Sequence, residues 1–97
     1  MFEKEVAAGV AWLDTNNPGW RDKITQELDM SDTCGCVLGQ LYKLRNIHFF
    51  EGFCHTNGIN MYDMGFSIRD NGESTEHRHE LWRRLETEWL KYIRGNK

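Results

Sequence analysis

Apolar residues recur along this chain at helical rather than strand spacing. Phe2, Val6, Gly9, Val10 and Leu13 share one helical side, with Glu3, Lys4 and Glu5 beside them, which predicts a helix over about 2–15. Asn16-Asn17-Pro18-Gly19 ends it, because proline disfavours a helical residue before it and glycine supplies a turn. Trp20, Ile24 and Leu28 follow at four-residue spacing and predict a short helix near 20–28, with Trp20 folded back on the first helix. Residues 28–31 read as a connector. Cys34, Val37, Leu38, Leu41, Tyr42 and Leu44 then predict a helix over 33–44, capped by Asp32 or Thr33. The other apolar stripes are amphipathic, so this helix is expected at the centre. Arg45 would interrupt its apolar face, which calls for a change of direction there.

Helix resumes from Asn46 to the stop signal Asn57-Gly58. Residues 59–66 suggest one helical turn ended by Gly65, 66–69 alternate in a strand-like way, and Asp70-Asn71-Gly72 is a strong turn. The last helix starts at Ser74 or Thr75. It carries Leu81, Trp82, Leu85, Trp89, Tyr92 and Ile93 as one stripe running to Gly95, with Glu80–Arg84 and Glu88–Lys91 pairs on its flanks. The fold class predicted is all-α: a compact bundle of four or five helices, with a few strand-like residues near 66–69.

Ninety-seven residues suit one domain spanning 1–97, and 12% aromatic content lets it bury a core without a metal or disulfide staple. A net charge of −3 without a basic surplus argues against a nucleic-acid partner. Three cysteines, no secretory leader pattern and no apolar run near the ~20 residues of a bilayer span predict a reduced, cytoplasmic protein with no membrane contact.

Three stretches carry a resemblance: Leu13-Asp14 through Pro18-Gly19-Trp20, Ile24 with Leu28-Asp29, and Cys34-Gly35-Cys36-Val37-Leu38-Gly39-Gln40-Leu41-Tyr42. Together they resemble small uncharacterised proteins of actinobacteria and their phages. The pattern of that group is LDE-x-x-PGW, then I-x-x-x-LD, then C-x-CVLGQL-(Y/F)-G. Gly65-Phe66 and Trp82 or Trp89 fit its later part loosely. The resemblance implies a phage or prophage accessory protein, or a small host protein of that line, and brings no activity. It marks Trp20, Cys34, Gln40 and Tyr42 as residues whose role the pattern leaves open. Thr15 replaces the group's Glu. Lys43 replaces its Gly after the aromatic residue, which suggests that the helix runs further here.

Little in the chain points to chemistry. On a helix, Cys34 and Cys36 point roughly 200° apart, so they cannot bridge without unwinding. That geometry sends Cys34 to the apolar face and leaves Cys36 beside Gln40 and Lys43. Cys36 is thus the candidate reactive thiol, since a first-turn thiol can have a lowered pKa, although buried filler is the favoured reading of both. A zinc site from Cys34, Cys36, Cys54 and His55 fails on divergent geometry. His77 and His79 sit two apart, not at i,i+3 or i,i+4. Glutamates interrupt the basic residues Arg78, Arg83, Arg84, Lys91 and Arg94. No phosphate loop, nucleophile elbow or paired carboxylates stand out, so neither a catalytic site nor a cofactor is expected.

The segment 47–54 carries two apolar stripes. Phe49 and Phe53 are expected to join the core, leaving Ile47, Phe50 and Cys54 as a partner surface for another protein or a second copy of the chain. The function expected is therefore that of a non-enzymatic intracellular binding protein. The alternative is a thiol-dependent redox or metal-responsive protein using Cys36.

Overall fold

A computed structural model describes residues 1–69 and 71–95. It is all-helical, as the apolar spacing predicts: α1 (Glu3–Asn16), α2 (Val37–Tyr42), α3 (Ile47–Thr56) and α4 (Thr75–Leu90). A single 3-10 turn (Trp20–Lys23) follows α1, and one π turn (Lys91–Gly95) extends α4. Among the described residues there is no strand, so 66–67 is a bend and 68–69 is irregular chain. The turn expected at 70–72 begins at Asp70, which lies outside the described residues.

The apolar stripe of α1 buries Val6, Gly9, Val10 and Leu13, the i, i+3, i+4, i+7 set read from the sequence. The helix ends where Asn17 N–H bonds Leu13 O at 2.7 Å, and Gly19 turns the chain with φ 81°. Trp20 is then driven fully into the interior. Its indole N–H donates to Asp14 Oδ1 at 2.9 Å, so the polar edge of the ring stays satisfied.

Trp89 on α4 gathers the aromatic part of the core, while α2, within the 33–44 segment, buries Val37 and Leu38 completely. Trp20 meets Trp89 edge to face at 5.8 Å, and Phe66 stacks on it at 5.3 Å. Trp89 donates its indole N–H to Gly65 O at 2.7 Å, a buried bond that pins the 59–69 turns to α4. Gly9 lets α1 approach this cluster. A Cβ there would collide with the Met64 carbonyl and lie 3.0 Å from the Trp89 ring. The N-terminus of α4 is closed by Ser74, which accepts from His77 N–H at 3.2 Å. The Glu80–Arg84 and Glu88–Lys91 pairs form on its flanks.

Two expected helices are shorter than predicted. The 20–28 segment keeps only the 3-10 turn, and the 33–44 helix contracts to the six residues of α2. Residues 29–36 are instead held in successive turns: Asp32 N–H to Asp29 O, and both Gly35 N–H and Cys36 N–H to Asp32 O. Asp32 therefore serves the turn and does not cap the helix. At the other end Lys43 sits in the left-handed conformation (φ 57°, ψ 47°) with its N–H on Gly39 O. The helix stops there, contrary to the extension suggested by Lys43 replacing glycine. Asn46 opens α3 by accepting from Phe49 N–H at 3.1 Å, which makes the change of direction beside Arg45.

Candidate functional site

The residues of the sequence pattern come together as a clasp between the end of α1, the 20–36 segment and α2. Gln40 is its hub. Its Nε2 donates to Gly35 O at 2.9 Å and Gln26 O at 3.3 Å, while its Oε1 accepts from Gln26 N–H at 3.1 Å. One side-chain amide thus organises a stretch that has little helix of its own. Gly39 lies against the Thr33 carbonyl so tightly that any Cβ would collide with it. Tyr42 OH accepts from Asn17 Nδ2 at 3.2 Å, and its ring lies 4.3 Å from that of Phe53 on α3. Arg21 packs 4.7 Å over Trp20, bonds Asp14 and donates to Tyr92 O at 2.9 Å. Trp20, Gln40 and Tyr42 therefore have structural roles that account for the types of side chain present.

The two clasp cysteines exchange the places expected of them. Cys36, 1% exposed, is the N-cap of α2: Gly39 N–H donates to its Sγ at 3.3 Å, and its thiol donates to Thr33 O at 3.6 Å. Burial pushes its pKa up to about 11, against a smaller lowering by the amides that face it. Cys34 is exposed, with its thiol donating to Arg45 O at 3.2 Å. The reversal has a simple cause. The helix begins at Val37, so the orientation of residues 34 and 36 follows the turns before it and not a helical wheel. Cys36 is buried and held protonated, the opposite of a reactive thiol. Cys54 is also buried, and its pKa is likewise raised to about 11, first by burial and then by the nearby Cys36.

Along the clasp itself, a polar groove of about 440 Å³ runs past Lys23, Asp29, Asp32, Cys34, Gln40 and Lys43. Nearby, Glu86 on α4 accepts from Met30 N–H at 3.1 Å. Partial burial, joined by the Asp29 and Glu27 carboxylates, raises its pKa. Among the described residues no group of three His, Cys, Asp or Glu side chains could hold a metal ion. No helix among them is long and apolar enough to cross a membrane.

The α3 surface carries the other correction. Phe50 and Cys54 are buried at 3% and 1% exposure, so of the expected partner surface only Ile47, at 47%, faces outward. The exposed ring is Phe49, at 58%. Phe53, on the same side one turn later, is half-buried between Tyr42 and Trp12, whose rings lie 4.3 and 6.2 Å away. Periodicity revealed both apolar stripes of α3, and packing divided each of them: Phe53 joins the core and Ile47 faces outward as expected, while Phe50 and Cys54 are covered and Phe49 is not. No protein family, curated protein or solved structure matches the chain.

Proposed function

We propose that the protein is a non-enzymatic intracellular binding protein acting through protein–protein contact. On this reading it works in the cytoplasm, and the resemblance to small proteins of actinobacteria and their phages supports an accessory role in a phage or prophage. The observation that carries the binding reading is Phe49. Its ring is 58% exposed and stands one helical turn from Phe53, which is itself half-buried against Tyr42 and Trp12. An aromatic anchor beside a supporting aromatic cluster is the arrangement that dominates binding energy at protein interfaces. The partner is accordingly a protein offering an apolar groove that admits one aromatic ring. The thiol-dependent alternative loses its residue, because Cys36 is buried with a raised pKa.

The test is Phe49→Glu in an affinity capture from lysate of the native host, with the thermal melt as control. The substitution falls on an exposed side chain, so stability should stay within about 0.5 kcal/mol. A protein captured by the wild type should be absent from the variant's eluate. Equal capture by both would end this reading.

A further inference from the structure

A second cavity lies where the start of α1, the 59–69 turns and the loop leading into α4 meet. It holds about 350 Å³ and shares no residue with α3. That volume falls at the lower end of the ~300–1,000 Å³ typical of small-molecule sites. Phe2, Ile68 and Leu81 give it an apolar lining, Ile68 buried and the other two half-buried. The charges around that lining do not balance. Glu5, Asp63 and Glu73 set three carboxylates against one guanidinium, Arg69, and one imidazole, His77. Arg69 is already engaged, 4.5 Å over the Tyr62 ring and 3.6 Å from Asp63 Oδ1. The Met1 amino group pairs with Glu3, which lies outside the cavity. Among the described residues no cation pairs with Glu5 or Glu73. Glu73 accepts from Asn71 N–H at 3.1 Å. Its own amide and that of Asn71 hold its pKa below the ordinary value, so it stays charged at neutral pH.

We propose that this cavity is a binding site for a small organic cation, a primary ammonium carried on a short apolar body. The ammonium meets Glu5 and Glu73, and the body covers Phe2, Ile68 and Leu81. Charge complementarity selects this chemistry over its neighbours. An anion of the same shape would face two unmatched carboxylates. A bare metal ion does not suit either, because among the described residues no three acidic, His or Cys side chains converge closely enough to hold one. Arg69 shows that a cation rests stably at this place, on an aromatic face and against a carboxylate. The site is independent of the α3 surface and of any protein bound there.

The test is isothermal titration of the purified full-length chain with hexylammonium and phenethylammonium chloride. Phenylpropionate supplies the apolar body with the opposite charge, and methylammonium supplies the charge without the body. The two longer ammonium ions should bind saturably, and both controls at least about tenfold more weakly. Glu5→Gln and Glu73→Gln should each weaken hexylammonium binding about tenfold, the loss expected of one contact to a charged group. Glu51→Gln on α3 should leave it unchanged. Arg69→Ala should tighten it, because the Tyr62 face and the Asp63 carboxylate become free for the ligand. Thermal melts check that each variant is folded, and Glu73→Gln and Arg69→Ala decide the matter if Glu5→Gln is not. Absence of saturable binding by both longer ions would overturn the proposal. So would equal binding of phenylpropionate, or weaker hexylammonium binding in a folded Arg69→Ala variant.

Discussion

Lys43 provides a sharp test of the local physics. It follows the last residue of α2 with φ 57° and ψ 47°, its N–H on Gly39 O, in the position where helices favour glycine. An L-residue held left-handed costs about 1–2 kcal/mol through crowding of Cβ against its own backbone. Glycine removes that cost but brings back about 0.5–1 kcal/mol of unfolded-chain entropy. Lys43→Gly should therefore stabilise the fold by about 0.5–1 kcal/mol. For a domain of this size, a shift of about 4–8 °C accompanies each kcal/mol, so the melting temperature should rise by roughly 2–8 °C. Lys43→Ala is the control: it removes the charge and keeps the Cβ, and should stay within about 0.5 kcal/mol of wild type. Calorimetry at low protein concentration, checked by urea unfolding, measures both. A glycine variant no more stable than the alanine variant would refute the strain argument.

Two further outcomes follow from the thiols and from Glu86. Under native conditions a maleimide should label Cys34 first, while Cys36 and Cys54 should react only after denaturant is added; early labelling of Cys36, read by peptide mass spectrometry, would contradict its burial and raised pKa. Glu86 has a folded-state pKa above the ordinary value, so the folded protein binds that proton more tightly than the unfolded chain does. Its contribution is fully present below the ordinary carboxyl value of 4.5 and is lost as pH rises through the higher folded pKa. Glu86→Gln should therefore gain on wild type in melts at neutral pH, and the advantage should shrink on acidification below 4.5. An advantage independent of pH would show that the carboxylate is not the cause.

The sequence by itself determined which segments are long helices. The stripe of α1 and that of α4 each recur over several turns, so one misread residue could not alter either face, and Ser74 marked the start of α4. It also determined the change of direction near Arg45 and the presence of two apolar stripes on 47–54. Tertiary structure decided the rest wherever local signals were short or symmetric. The 20–36 stretch has apolar residues at helical spacing, yet the side-chain amide of Gln40 and the turn around Asp32 satisfy its backbone in a non-helical path. That path alone fixes which of Cys34 and Cys36 is buried. On α3 both stripes are apolar, so periodicity could not choose between them. The choice fell to the neighbours, with Phe50 and Cys54 in the core and Phe49 left exposed among the described residues. Nor could spacing reveal that Trp89 is the hub, because its partners Trp20, Gly65 and Phe66 are distant in the chain and meet it only once the helices are packed.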